Sequence, residues 1–425
     1  MIKLKIGLIG FGTVGTALIK RVQNNNKLVE TRLGITLEIV SVLVKNKSKQ
    51  RGVELAEGVV TDDVEAFFAT DPQLVVEVVG GLGEVEDLVA RSLASKIPVI
   101  TANKELIAQK GLELFSKAES AGVDLYCEAA VAGGIPVVRV VRTSLLGEDI
   151  KIIAGILNGT CNVILTKMSD ENMSYEEALK LAQDLGFAET DPHMDVSGKD
   201  SAAKIAILTS IALGRWITLE QVETKGIESI SKEDIKSCKL FGYELKLIAN
   251  TKIVDGNTIN IGVSPTFVAK TNPLSAIKNE NNAVLINGTT LGELTLSGPG
   301  AGGDPTATAV YGDLLDVAQK VIMNKQGDVL KVSGALDSSS IVEGVSKYYV
   351  SVKVKNEPGV LAKVAVIFGN SKISIQQISQ LAKKDSALIS LSLNECSKSD
   401  LDLCLEEIEK QAFTITVNSS YPILD

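Results

Sequence analysis

The segment 189–204, ETDPHMDVSGKDSAAK, gathers four carboxylates and two lysines around a Pro and a Gly, just ahead of an apolar run at 205–213. Acids at this density suit a solvated loop as readily as a site. The end of the segment tilts the balance. Asp200 and Lys204 stand four residues apart where a helix begins, so carboxylate and ammonium share one face and can share a substrate or a proton. His193 is the single histidine of the chain, which excludes most histidine machinery: His-Ser-Asp triads, multi-histidine metal sites and histidine–carboxylate relays. A general acid or base must then come from Lys, Asp, Glu or Tyr.

Three further motifs carry chemistry. Gly10-Phe11-Gly12-Thr13-Val14-Gly15 lies between an apolar strand at 4–9 and a helical pattern at 13–24. Such glycines allow a tight turn and close approach of a pyrophosphate to a helix N-terminus. The motif reads as a dinucleotide site, the alternative being a strand–helix turn without a ligand. Thr101-Ala102-Asn103-Lys104-Glu105 follows a strand and opens a helix at the carboxyl end of a sheet, where open α/β folds bind ligands. Lys104 could face a nicotinamide there or be an ordinary surface lysine. Glu128 precedes the turn Val131-Ala132-Gly133-Gly134-Ile135, an oxygen-rich arrangement that suits a hard cation or is simply a structural turn. For the nucleotide, an NAD site places an acid at the end of the second strand. Here that strand runs into Val44-Lys45-Asn46-Lys47-Ser48-Lys49 with no acid, so Lys45 or a neighbour could meet a 2′-phosphate. NADP is favoured over NAD, the alternative being a solvated basic loop.

The elements that must position these groups follow from composition and periodicity. A chain of 425 residues holds two to four domains. Hydrophobic residues make up 45% and aromatics only 4%, so the core is aliphatic, as in α/β proteins with buried parallel strands. A net charge of −9 without a basic block argues against nucleic acid and anionic membranes as partners. Five cysteines with no CxxC pair argue against disulfides and zinc and for a reducing cytosol. The start of the chain superficially resembles a signal peptide, but glycines at 7, 10, 12 and 15 interrupt its apolar run. No stretch reaches the roughly 18 apolar residues of a membrane span.

Strands at 4–9, 35–44, 74–79, 98–101 and 124–127 alternate with helical patterns at 13–24, 84–95 and 104–121, which predicts βαβ units and a parallel sheet over 1–130. A second domain is expected over 131–323, with strands at 150–157, 258–270 and 283–287. Helical stretches are expected at 174–185 and at 306–323, the latter packing back on the first domain. Residues 324–344 are polar with Gly and Ser and read as a linker. The remainder, 345–425, has the order βαββαβ of a ferredoxin-like unit.

In combination, GFGTVG (10–15), TANKE (101–105), EAAVAGGIPV (128–137), GILNGTCNVIL (155–165), GFAETDPHMDVSGKDSAAK (186–204) and GPGAGGDPTA (298–307) resemble the bacterial homoserine dehydrogenases along essentially the whole chain. The unit 345–425, with Asn356-Glu357-Pro358-Gly359-Val360-Leu361 at its first strand–helix turn, resembles an ACT domain. The resemblance implies an α/β fold with an N-terminal Rossmann domain, an α+β domain for substrate and dimerisation, and a ferredoxin-like ACT domain. The implied activity is NAD(P)-dependent interconversion of L-homoserine and L-aspartate 4-semialdehyde, in the cytoplasm.

Residue by residue, the resemblance implies Lys204 as proton donor and Lys104 as the second lysine near the carbonyl. Glu189 and Asp200 would bind substrate and orient Lys204. Gly10, Phe11, Gly12, Thr13, Val14, Gly15, Lys45, Thr101, Lys104, Gly186, Gly300 and Gly302 would line the cofactor. Glu128 with the carbonyls of Val131, Gly133 and Ile135 would hold sodium. Asp191, Asp195 and Lys199 are left to loop structure. A homo-oligomer, dimer or tetramer, and threonine feedback at the ACT unit are also implied. Two positions depart from the family pattern: Cys161 where a Thr is usual, and Met194 where an acid is frequent. Two alternatives stand beside this reading. One is another ACT-bearing dehydrogenase, although a His–carboxylate or Cys–His pair has no motif context here. The other is a nucleotide- and amino-acid-sensing regulator, which would have no need of the proton donor that Asp200 and Lys204 supply.

Overall fold

The structure is a computed structural model that describes residues 2–256, 258–327 and 331–425. Met1 of the expected first domain and residues 328–330 of the expected linker lie outside the described residues. The chain forms two compact units: one runs to Ile150 and adds Ala203–Val222 and Asn287–Asp337, the other holds Lys151–Ala202, Glu223–Ile286 and Ser338–Asp425.

In the first unit, β1 (Ile2–Ile9), β2 (Ile35–Leu43), β3 (Val60–Thr61), β4 (Leu74–Glu77), β5 (Val99–Thr101) and β6 (Leu125–Tyr126) make a parallel sheet in the order β3-β2-β1-β4-β5-β6. This is the Rossmann order, whose reversal between β1 and β4 opens a crevice at the strands' carboxyl ends. Leu4, Ile6, Leu8, Leu74, Val76 and Ile100 are buried because helices cover both faces. The first helix, Thr13–Leu33, continues well past residue 24. Its polar Asn26 is tied to β2: the side-chain amide donates to the Leu37 carbonyl (2.8 Å) and accepts the Leu37 N–H (2.9 Å). Gly34 then ends it in the left-handed region (φ 70°). Helix Gly303–Ile322 packs Val310, Leu314 and Val317 into the same core as Leu18, Ile19 and Val22 of this helix.

Residues 331–336 are not a bare tether. Ser333 N–H donates to the Gly214 carbonyl (2.9 Å), Trp216 N–H to that of Gly334 (2.8 Å) and Leu336 N–H to that of Trp216 (2.8 Å). Val332 and Leu336 are the buried anchors within this polar stretch.

The second unit is built on one mixed sheet. Its strands are β7 (Ile150–Ile156), β8 (Glu223–Thr224), β9 (Tyr243–Asp255), β10 (Thr258–Ala269) and β11 (Asn281–Gly288). After β12 (Gly292–Pro299) come β13 (Val345–Lys355), β14 (Ile375–Ala382), β15 (Ser386–Ser397) and β16 (Thr414–Leu424). The order is β11-β7-β9-β10-β16-β13-β15-β14, with β8 beside β10. Strands β13 to β16 and helices Val360–Asn370 and Lys398–Glu409 realise the βαββαβ pattern. Strand β16 also pairs in parallel with β10 (Phe267 with Ile423, Val268 with Leu424), so the C-terminal unit shares a sheet with the middle of the chain. Strand β9 had no strand signature in sequence, because Glu244, Lys246, Thr251 and Lys252 interrupt its apolar run. No helix among the described residues is long and apolar enough to cross a membrane.

Lys246 on β9 is only 3% exposed. Its ammonium donates to Asn162 Oδ1 (3.3 Å) and to the Ile277 carbonyl, pinning the loop before β11 to helix Gly159–Glu171. Burial, opposed by nearby Glu244, lowers its pKa to about 8. An exposed lysine titrates near ~10.4. The folded value is the lower one, so the penalty is full below pH 8 and fades as pH rises from there toward the unfolded value. Relative to Lys246→Met, the wild type should therefore gain about 2 kcal/mol of stability between neutral pH and about pH 10. A pH-independent difference between the two denaturation curves would contradict this.

Candidate active site

The nucleotide loop is shaped by a close approach. A Cβ at Gly15 would lie 2.5 Å from the Gly10 carbonyl oxygen, so only glycine lets the helix start against the end of β1. Helix Thr13–Leu33 has no acid in its first turn, and Gly12 and Thr13 are exposed, which leaves its N-terminus electrostatically open to an anion. Phe11 is buried under the Arg51 guanidinium, 5.0 Å from its ring centroid. Arg51 also donates to the carbonyls of Asn46 and Lys49 (2.7 Å each), which folds the basic loop after β2 around it. Lys45 is exposed there, 3.9 Å from Glu84. Sequence reasoning passed over Arg51 because it lies beyond the lysine run.

The expected second glycine loop reaches the same place. A Cβ on Gly303 would stand 2.8 Å from Thr13 Cγ2, and exposed Gly302 caps helix Gly303–Ile322. Gly300, by contrast, is buried. Gly133 (φ 54°) abuts it: a Cβ there would be 2.3 Å from the Gly300 carbonyl.

Lys104 is the first residue of helix Lys104–Ala121, exposed, behind the cap Asn103. A hydrogen-bond chain holds that cap. Asn103 Oδ1 accepts the Leu106 N–H (3.0 Å), and its Nδ2 donates to the Gly81 carbonyl (2.6 Å). The Thr101 hydroxyl accepts the Asn103 N–H (3.0 Å) and donates to buried Glu77 (2.5 Å). Glu77 in turn accepts from the N–H groups of Val79 and Gly80. Thr101 is thus fully buried, with its hydroxyl engaged by Glu77 and by the cap ahead of Lys104. Glu77 was legible as the lone acid in an apolar strand.

Glu128 and Asp313 form a buried carboxylate pair. Both Glu128 oxygens accept backbone N–H groups, from Val138 (2.9 Å) and Arg139 (2.7 Å). Asp313 accepts the Glu128 N–H (2.9 Å) and the Arg139 guanidinium (3.2 Å). Burial, and then Asp313, pushes the Glu128 pKa up to about 8. Burial raises Asp313 to about 6 against the pull of its hydrogen bonds and Arg139. The Ile135 carbonyl accepts the Val137 N–H (2.8 Å). Among the described residues, no cluster of three or more His, Cys, Asp or Glu is placed to hold a metal.

In the second unit, Asn158 at the end of β7 is the organiser. It caps helix Gly159–Glu171, accepting the Cys161 N–H (2.8 Å). Its amide nitrogen donates both to Asp195 (2.7 Å) and to Asp200 (2.8 Å). Asp195, expected to be mere loop structure, is therefore bridged to Asp200. The Cys161 thiol meets the Asp195 carbonyl (3.1 Å) from within the core, a packing role that sulfur fulfils. Gly186 and Glu189 are exposed on the loop after helix Tyr175–Asp184, where Gln183 donates to the Glu189 carbonyl (3.1 Å). Met194 is exposed, as is His193, whose backbone N–H donates to Asp191 (3.2 Å) and whose ring meets the Lys199 ammonium (3.3 Å). Helix Lys199–Leu213 carries Asp200, buried, and Lys204, half-buried, one turn apart. Asn158 carried a legible cap signal ahead of its helix, though nothing nearby in sequence announced its two carboxylates.

Comparison with known proteins agrees along the chain. Residues 10–128 match the homoserine dehydrogenase NAD-binding domain, 136–315 homoserine dehydrogenase itself, and 348–413 the ACT domain. The homoserine dehydrogenase of Bacillus subtilis is 38% identical over 427 residues, covering 99% of this chain and 98% of that protein. The crystal structure of a homoserine dehydrogenase from Thiobacillus denitrificans superposes with a TM-score of 0.91 at 32% identity, covering 100% of this chain and 98% of that one. A hyperthermophilic archaeal homoserine dehydrogenase in complex with NADPH matches with a TM-score of 0.64 at 28% identity, over 76% of this chain and 98% of that one.

The amide bridge makes a prediction of its own. Asn158→Asp would place a third carboxylate against Asp195 and Asp200. It should cost on the order of 2 kcal/mol at neutral pH, with the deficit narrowing on acidification as a carboxyl protonates. Thermal melts that show the same deficit at both pH values would mean that Asn158 does not hold both acids.

Proposed function

The chain belongs to the homoserine dehydrogenase family, and on that premise we propose how its own residues perform the NAD(P)-dependent interconversion of L-homoserine and L-aspartate 4-semialdehyde in threonine and methionine biosynthesis. The reading rests above all on one observation: Asp200, buried and fixed by Asn158, stands one helical turn from Lys204. A bound nicotinamide would supply or accept the hydride at the substrate carbon. The protein must hold the substrate and manage the proton on oxygen. Lys204 gives that proton to the nascent alkoxide and takes it back during alcohol oxidation. Lys104 adds a second positive charge near the carbonyl oxygen. Asp200 orients Lys204, while Glu189 binds the α-ammonium.

Gly10, Phe11, Gly12, Thr13, Val14 and Gly15 bind the pyrophosphate through the backbone, with Gly186, Gly300 and Gly302 lining the cofactor. We read NADP as the preferred form, because Lys45 and Arg51 lie in the stretch 44–51 after β2, which holds no acid. The turn 128–135 fits a monovalent cation in donor chemistry. Carbonyls of Val131, Gly133 and Ile135 are hard donors, and two buried carboxylates stand against Arg139. With both Glu128 oxygens already accepting N–H groups, Glu128 would contribute charge or its carbonyl, not a free carboxylate. Melting temperature in sodium chloride should exceed that in choline chloride at equal ionic strength. An identical Tm in both salts would remove sodium from the proposal.

We assign residues 1–130 to cofactor binding, 131–323 to catalysis and dimerisation, and 345–425 to regulation, with 324–344 joining them. Threonine is the proposed effector of the ACT domain, and a dimer or tetramer the proposed assembly. The outer strand β14, with Ile378 and Leu381 exposed, supports self-association. Five buried cysteines, none in a disulfide among the described residues, support a cytoplasmic setting.

The deciding assay is NADPH oxidation with aspartate 4-semialdehyde. Lys204→Ala should lower kcat by about 10²-fold or more, whereas Glu189→Gln should mainly raise KM. The opposite pattern would overturn both roles. Homoserine oxidation should rise toward alkaline pH, as Lys204 must be neutral to accept a proton, while reduction should not. Parallel rises in both directions would count against Lys204.

A further inference from the structure

The tryptophan content of the chain is a single residue, Trp216, and it stands three positions beyond the helix that carries Lys204. It is 3% exposed and its benzo ring packs against the helix that begins at Lys104. A Cβ on Gly111 would stand 2.0 Å from Trp216 Cη2 and 2.2 Å from Cζ2, so the indole occupies the space where any other residue's side chain would begin. The Phe115 ring packs on the same indole at 6.0 Å and 44°. Lys104, Gly111 and Phe115 are spaced by seven and four residues, which places them along one stripe of the helix. Gly111 is therefore about 10 Å below Lys104 on the lysine's own face.

The other side of the contact is equally fixed. Trp216 N–H donates to the Gly334 carbonyl and its own carbonyl accepts the Leu336 N–H, at 2.8 Å each. The next residue, Ile217, donates its N–H to the Ser210 hydroxyl (2.8 Å), and that hydroxyl donates to the Ala206 carbonyl (2.7 Å). Ser210 and Ala206 belong to the helix of Lys204, so the backbone that carries the indole is tied to the end of that helix.

We infer that the Trp216–Gly111 contact sets the spacing between the two lysine-bearing helices, which makes Trp216 a positioning residue for the dehydrogenase reaction. This rests on Lys104 and Lys204 being the lysines at the reacting carbonyl. A displacement of 1 Å at such a centre costs about 10²-fold in rate, and a methyl group at Gly111 cannot be accommodated without a shift of that order.

The test is kinetic and has a compensating partner. Gly111→Ala should lower kcat by about 10- to 100-fold with little change in KM for cofactor or semialdehyde, and should shift the emission of the sole tryptophan to the red. Adding Trp216→Leu should return kcat toward the wild-type value, because the smaller side chain restores the spacing. Wild-type kcat in Gly111→Ala, or a double variant no faster than the single one, overturns the inference. Should Gly111→Ala fail to fold, Trp216→Phe is read instead: a several-fold fall in kcat at unchanged KM supports the spacing role, and wild-type kcat overturns it. Lys204→Ala measured alongside separates the two levels. Full activity there would remove the catalytic reading on which the inference rests, whereas an inactive Lys204→Ala beside an unimpaired Gly111→Ala would remove the inference alone.

Discussion

Glu128 and Asp313 are buried in one hydrogen-bonded group, and the first unit is arranged around satisfying them. Leaving a carboxylate in the interior without partners costs several kcal/mol. Here each oxygen of Glu128 takes a backbone N–H from the turn of helix that follows it, and Asp313 takes the Glu128 N–H together with Arg139. These bonds can form only if helix Gly303–Ile322, which carries Asp313, lies against the chain emerging from β6. Once it does, Gly133 meets Gly300 and Gly303 meets Thr13, so both glycine loops converge at the crevice of the sheet. Burial of charge, not apolar packing alone, dictates where this helix must go.

The second carboxylate pair is handled differently, and the difference suits its chemistry. Asp195 and Asp200 share the amide nitrogen of Asn158, not a guanidinium. An arginine would neutralise the pair. An amide supplies the hydrogen bonds while leaving the negative charge in place. On the proposed roles, that charge is what a substrate ammonium and Lys204 need opposite them. Both acids are therefore held rigidly by one neutral side chain.

Much of this was legible in sequence and some was not, for a consistent reason. Strands β1, β2 and β4 to β6, the helix beginning at Lys104 and the βαββαβ order of the C-terminal unit are written in local periodicity, whereas the two-residue β3 is too short to show any. GFGTVG was readable because its glycines and the flanking strand and helix are contiguous. Asp313 was invisible as a partner of Glu128, since 185 residues separate them. The same holds for residues 331–336, whose polar texture conceals backbone bonds to 214–216. Strand β9 was hidden by its charges: Lys246 looks solvated but is buried, because Asn162 and the Ile277 carbonyl receive its ammonium.

The C-terminal unit shows what a small domain gains from not standing alone. About 80 residues bury only a modest core, and the ACT strands extend theirs by joining β16 to β10. Phe267 of β10 stacks on Tyr349 at 4.3 Å and on Tyr421 at 5.8 Å, the two tyrosine rings lying 6.3 Å from each other. Buried Asp234 fastens the same seam, accepting from the Ser419 hydroxyl (2.5 Å) and the Tyr421 hydroxyl (3.3 Å). From β10 the bonding continues: Lys225 N–H donates to the Val263 carbonyl (2.8 Å), and Ile227 N–H to that of Val196 (2.9 Å), next to Asp195. An element sewn into a sheet on one edge cannot tilt as a free body. Any rearrangement of β16 must be taken up by β10 and by the segment 223–234, because the alternative is to break paired backbone groups in the interior.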